Sequence, residues 1–319
     1  MKRNFLEWAT VVLTVVLIST AGIKYHQHHI VAPIQQPVEP PQKQFPESSV
    51  TTEIPEYLDY SGLISQLKEW NEQAKDLTEV GTYGKSTKGT DIFYIRINNE
   101  FDTKPKPKVL ITACIHGNEP WSTGVVMAYV GTLLGQYGDS QKITDLVNSR
   151  DIYIIPVVSP DSYPDSRRVD GVDPNRNFPG PSKPDRKSVP PVKALMNFVL
   201  QIKPNAIISG HTWGRIFLQP YGDKNELCPD HEEYQRILKK MGEMCDYDMQ
   251  RACEMYNEPI FGTEVDWYYR NRILAIVMEF GTHQKKPTPK EIKSEFERTF
   301  QGVLWFIEEA PVVELKIKF

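Results

Sequence analysis

Two histidines and two glutamates of this chain stand where hydrolytic chemistry could use them. His116 and Glu119 lie three residues apart in His116-Gly117-Asn118-Glu119-Pro120, His211 ends the run Ile208-Ser209-Gly210-His211, and Glu279 ends Val277-Met278-Glu279. Imidazole nitrogens and carboxylate oxygens both ligate Zn²⁺, and a catalytic zinc site takes three protein ligands plus one water. His116, Glu119 and His211 make such a His₂Glu set with one position open. Zinc lowers the pKa of its water to about 7, so a separate glutamate, Glu279, can take the proton at neutral pH. A His-x-x-Glu spacing often arises by chance, and a lone histidine at a strand end is more often a satisfied polar side chain than a ligand. The metal reading gains its weight from one placement repeated on successive strands.

Those strands are legible as apolar, β-branched runs. They cover Val109 to Ile115, Ile152 to Val158, Ala206 to Ser209 and Ile273 to Met278, and they alternate with helices near 121–136, 191–202, 230–244 and 288–308. Leu58, Leu63, Ile64, Leu67 and Trp70 recur at helical spacing and predict an amphipathic first helix. Residues 79–84 and 91–97 read as paired strands around a turn at Ser86–Gly89. The intervening Gly84-Lys85-Ser86 is no phosphate loop, because position 79 is Glu where that motif needs Gly. Val312–Phe319 is expected to add an edge strand. The pattern predicts a single α/β domain with a central mixed, largely parallel β-sheet flanked by helices. In open α/β sheets ligands bind at the carboxyl ends of the strands, so residues far apart in sequence can converge there.

A fourth element is the loop over about 160–188, which holds Arg167-Arg168-Val169-Asp170-Gly171-Val172-Asp173-Pro174-Asn175-Arg176-Asn177. Its arginines and asparagines suit a solvated surface. They equally suit binding a carboxylate and a developing oxyanion, through planar guanidinium and amide groups.

The 319 residues carry a formal net charge of −4 and are 40% hydrophobic. That is ample for a full core, and it gives no electrostatic footprint for nucleic acid. Lys2 and Arg3 precede an uncharged run from Trp8 to Ile23, which Lys24 ends. The run lies between the length of a secretory signal and that of a spanning helix. Either reading, a signal cleaved near Ser19-Thr20-Ala21 or an uncleaved membrane anchor, sends the remainder out of the cytoplasm. Residues 24–56 hold six prolines and read as an extended linker, with His26, His28 and His29 in a solvated tract. The four cysteines do not make a disulfide scaffold or a Cys-x-x-Cys zinc site. Cys114 reads as a small buried side chain, which leaves room for one disulfide among Cys228, Cys245 and Cys253.

Taken together, these motifs resemble the zinc metallocarboxypeptidases of the M14 family over roughly residues 57–309. His116-Gly117-Asn118-Glu119-Pro120 is similar to the family's first zinc motif, Gly171 to Phe178 to its carboxylate-binding motif, and His211-Thr212-Trp213 with Pro220-Tyr221-Gly222 to its third-ligand segment. Asp266-Trp267 and Glu279-Phe280 complete the order. The resemblance implies one Zn²⁺ per chain on His116, Glu119 and His211, with Glu279 as general base. It implies that Asn175 and Arg176 hold the substrate's C-terminal carboxylate and that Asp173 orients His116. An upstream arginine polarises the scissile carbonyl in that family. Arg167 and Arg168 compete for this role, and the spacing favours Arg167. Tyr256 matches the tyrosine that covers the substrate, although the segment from Tyr256 to Asp266 is longer than in the digestive enzymes. Val265, at the floor of the specificity pocket, favours an apolar or neutral side chain over a basic one. Glu264 adjoins it and would reverse that preference with a small change of backbone direction.

The expected substrate is a peptide with a free C-terminal carboxylate, cell-wall peptides included given the export, and the expected protein is a monomer. One alternative is a deacylase of the aspartoacylase or succinylglutamate desuccinylase type, which shares the His-Gly-Asn-Glu and Asn-Arg features. Another is a tethered binding domain without chemistry.

Overall fold

The computed structural model describes residues 58–99, 105–313, 315 and 316, all within the second of two units into which the chain divides, residues 45–319. The hydrophobic N-terminal run and the Pro-rich segment lie outside the described residues. Among the described residues, no helix is long and apolar enough to cross a membrane.

Eight strands form one sheet: β1 (Thr78–Lys85), β2 (Asp91–Ile97), β3 (Lys108–Ala113), β4 (Asp151–Ile155), β5 (Ala206–Thr212), β6 (Ile216–Gln219), β7 (Asp248–Arg251) and β8 (Leu274–Phe280). Their spatial order is β1-β2-β4-β3-β5-β8-β6-β7. The inner four, β4-β3-β5-β8, are mutually parallel, while β2 joins β4 and β6 joins β8 antiparallel. The helices are α1 (Tyr60–Gln73), α2 (Pro120–Gly135), α3 (Gln141–Ser149), α4 (Pro190–Ile202), α5 (His231–Cys245), α6 (Ala252–Tyr256), α7 (Glu264–Arg270) and α8 (Pro289–Glu309).

Burial explains why the central strands are continuous apolar runs. Every residue of β4, β5 and β8 is buried, as is every residue of β3 but its first, because helices cover both faces of a parallel sheet. The pleat divides the strand residues between two cores: Val109 and Ile111 join one, Leu110 and Ile207 the other. Helix α2 is buried on all sides, leaving only Gly124 partly accessible, as a helix apolar all round must be. It touches both the sheet and α8. On α1, the predicted Leu63, Ile64, Leu67 and Trp70 are the buried residues, and Asp59 caps its start by accepting the Gly62 N–H at 2.7 Å.

Three expectations are corrected. The 109–115 strand stops at Ala113, because Cys114 adopts φ 53° and turns the chain; His116 and Glu119 therefore stand on the turn beyond it. The edge strand expected over 312–319 is absent among the described residues. Ala310–Val312 is a 3₁₀ turn instead, and Pro311 has no N–H to give a ladder. The sheet is extended past β8 by β6 and β7. All four cysteines are free and buried, so the disulfide left open by the sequence does not form.

Candidate active site

Strand order decides where the site lies. The chain passes from β3 to β4 on one side and then to β5 on the other side of β3, and such a reversal opens a crevice at the carboxyl ends of the strands. His116 and Glu119 follow β3, while His211 near the end of β5 pairs in register with Glu279 near the end of β8. Gly117 lets the turn sit tight: a Cβ there would lie 2.2 Å from the Ser162 backbone.

The three candidate ligands converge. His116 Nδ1 is 2.8 Å from Glu119 Oε1, and His211 Nδ1 is 2.9 Å from Glu119 Oε2. One ligand atom from each lies within 4.8 Å of the others, and all three residues are buried. Two imidazole nitrogens and one carboxylate are a donor set that suits Zn²⁺. The carboxylates of Glu119, Asp173 and Glu264 lie against the two imidazoles, and Arg167 lies beside Glu119 and Asp173.

The far side of each imidazole is also held. His116 Nε2 lies 2.9 Å from Asp173 Oδ1, and His211 Nε2 lies 2.7 Å from Glu264 Oε1. Asp173 further accepts the Asn175 N–H, which starts the 3₁₀ turn Pro174–Arg176, and Arg167 Nε at 3.1 Å. Burial resists charge on Asp173, but His116 and Arg167 hold its pKa well below the usual carboxylate range. Burial likewise opposes charge on Glu119, yet His116 and His211 bring it down to about 2. His211 is raised well above an ordinary histidine, as Glu119 and Glu264 outweigh its burial. Glu279 behaves in the opposite way. Burial pushes it up to about 7, assisted by Glu119 and opposed by His211.

A cavity of about 320 Å³ opens in front of this cluster. Of the two competing arginines, Arg167 reaches it, with Nη1 3.3 Å from Glu119 Oε1. Arg168 is exposed, bonds the Gly171 carbonyl and does not line the cavity. Asn175 and Arg176 both line the wall. The Glu264 N–H donates to the Asn175 Oδ1 at 2.8 Å, and the Asn175 side chain lies beside His211. Tyr256 is exposed at the rim, with the Arg176 guanidinium 5.9 Å from its ring centre. Gly262, at φ 75°, packs against the Arg176 carbonyl, where a Cβ would stand at 2.7 Å.

Val265 lines the cavity and Glu264 does not. Both Glu264 oxygens are turned inward, to His211 and to the Tyr268 hydroxyl, so the reversal of preference left open at Glu264 does not arise. Sequence reasoning missed the rest of this apolar wall: Leu218, Ala252, Ile260 and Val277. Val277 was within reach, since it stands two residues before Glu279 in one strand and so shares its face. Leu218 pairs with it from β6, a strand the pattern did not reveal.

Residues 63–302 match the family model described as zinc carboxypeptidase. Among curated proteins, carboxypeptidase D of Drosophila melanogaster is 24% identical over 85% of this chain and 23% of its own length. Carboxypeptidase A2 of Rattus norvegicus is 24% identical over 55% of this chain and 54% of its own. The chain thus spans about a quarter and about half of the length of these two relatives. The crystal structure of thrombin activatable fibrinolysis inhibitor shares the fold, with a TM-score of 0.73, 21% identity, and coverage of 83% of this chain and 76% of that one. With a family model covering most of the chain, and with His116, Glu119 and His211 gathered as its metal-binding triad, this chain belongs to the zinc carboxypeptidase family.

Proposed function

We propose that the protein is a carboxypeptidase that releases a single C-terminal residue with an apolar side chain from peptides. The observation that carries this reading is the facing of Glu279 and the His116–Glu119–His211 cluster across one cavity whose remaining wall is apolar around Val265. Asn175 and Arg176 line that wall and suit the terminal carboxylate, through an amide and a bidentate guanidinium. The side chain of the departing residue then fills the space bounded by Val265, Val277, Ile260, Leu218 and Ala252. Tyr256, exposed at the rim, covers the bound end of the peptide.

Bound at the triad, zinc would lower the pKa of a water to about 7 and polarise a carbonyl. Glu279 accepts the water's proton and later delivers it to the departing amine. A carboxyl pushed up to about 7 can do both near neutral pH. Arg167 adds positive charge beside the carbonyl oxygen, while Asp173 keeps the His116 ring in place.

The catalytic domain in this reading is residues 57–319, acting as a monomer. Residues 1–23 export or anchor it, which makes cell-wall peptides one substrate class to test. The experiment is mass spectrometry of a mixed pool of linear and cell-wall peptides after incubation with the zinc-loaded protein. Loss of single apolar residues from free C-termini is expected, with chelation abolishing it and Glu279→Gln lowering turnover by about 10²- to 10⁴-fold. Cleavage of N-acylated amino acids with peptides left intact would replace this reading with the deacylase one.

A further inference from the structure

Glu264 is buried without any accessible surface, and its sole ion-pair partner among the described residues is His211. A carboxylate left in the interior without a fixed cation is costly. The two neighbours of its side chain are His211 Nε2 at 2.7 Å and the Tyr268 hydroxyl at 3.1 Å. Tyr268 is itself fully buried and stands one turn on in α7, held edge-on against Phe178 and Trp267. Glu264 is therefore fixed at both oxygens, and a third bond anchors its backbone, from the Glu264 N–H to Asn175 Oδ1. It has no contact with the cavity.

From this geometry we infer that Glu264 is a positioning residue of the metal centre. By accepting a hydrogen bond from the Nε2–H of His211, it locks the imidazole in the tautomer whose bare Nδ1, on the Glu119 side, would serve a metal ion. The inference rests on the zinc site proposed above and extends it. Each metal-facing ring then has its own carboxylate behind it: Asp173 behind His116 and Glu264 behind His211. The two supports differ in kind. Asp173 is 13% exposed and shared with Arg167, whereas Glu264 is wholly buried and committed to one imidazole. The same residue links the ligand to the substrate wall, since its N–H donates to the Asn175 Oδ1.

The test compares wild type, Glu264→Ala and Glu264→Gln, with zinc affinity measured against a competing chelator. Glu264→Ala should weaken zinc binding by about 10- to 100-fold, the usual scale for loss of a carboxylate behind a ligating histidine. Glu264→Gln, which keeps an oxygen acceptor, should lie between the two. With zinc saturating, KM should stay at the wild-type value and kcat should fall, because Glu264 touches no substrate. The imidazole ¹⁵N spectrum should show the His211 Nε2–H signal sharp in wild type and displaced in Glu264→Ala. Melting temperatures with and without zinc separate this role from plain packing: a packing residue lowers both equally, whereas the role inferred here shrinks the zinc-dependent increment. If Glu264→Ala does not fold, Glu264→Gln decides. Wild-type zinc affinity and an unmoved His211 signal in the variants overturn the inference and leave the zinc site standing. Failure of the wild type itself to take up zinc overturns both.

Discussion

Glu279 and Glu119 are carboxylates of one cavity driven in opposite directions, and the difference is assignable to their neighbours. Burial is the largest influence on both: at Glu119 an imidazole on each oxygen outweighs it and holds the group down at about 2, while at Glu279 it prevails and raises the group to about 7. A general base must be ionised to accept a proton, so kcat/KM should fall as pH drops through the pKa of Glu279. The positive charge of a bound ion pulls that value down, so the acid limb should fall between the ordinary glutamate value of about 4.3 and about 7. A pH–rate profile of kcat/KM checks it, and Glu279→Gln should abolish that limb. Val265 gives a second expectation at this scale. Val265→Asp sets a carboxylate on the apolar wall and should reverse the order of kcat/KM between Leu- and Lys-terminated peptides, by at least about tenfold, or 1.4 kcal/mol.

At the scale of elements, the tightness of the turn after β3 matters as much as the ligands it carries. Gly117→Ala would drive a methyl into the backbone of Ser162, costing about 1–3 kcal/mol by overpacking and moving His116 relative to His211. Loss of zinc affinity beyond the loss of thermal stability is the expected result, read by chelator competition beside a melting curve. The sequence announced the strands that bear His211 and Glu279 and the one that leads into the His116 turn, because burial on both faces leaves an apolar, β-branched run. It hid β6 and β7, four residues each, which become strands only by pairing with β8 and with each other. For the same reason it hid the apolar wall contributed by Leu218. The direction of the Glu264 side chain was beyond its reach too, since that follows from where the first turn of α7 meets β5.

For the molecule as a whole, the buried cluster ties ion binding to folding. Residues after β3, in the 3₁₀ turn, in β5, in α7 and in β8 meet at the site that would hold the ion, so binding should stabilise their joint arrangement. Free zinc at a hundred times its Kd would contribute about 2.7 kcal/mol, and a domain of this size melts about 2–4 °C higher per kcal/mol. Chelation should therefore lower the melting temperature by roughly 5–10 °C, measured by calorimetry with and without zinc. The register between His211 and Glu279 carries one more consequence. Neighbouring strands sit about 4.8 Å apart whatever side chains they carry, so the gap between ligand and base is a lattice constant of the sheet and is insulated from the loops. The loop between Tyr256 and Asp266 can vary while that spacing keeps its dimensions.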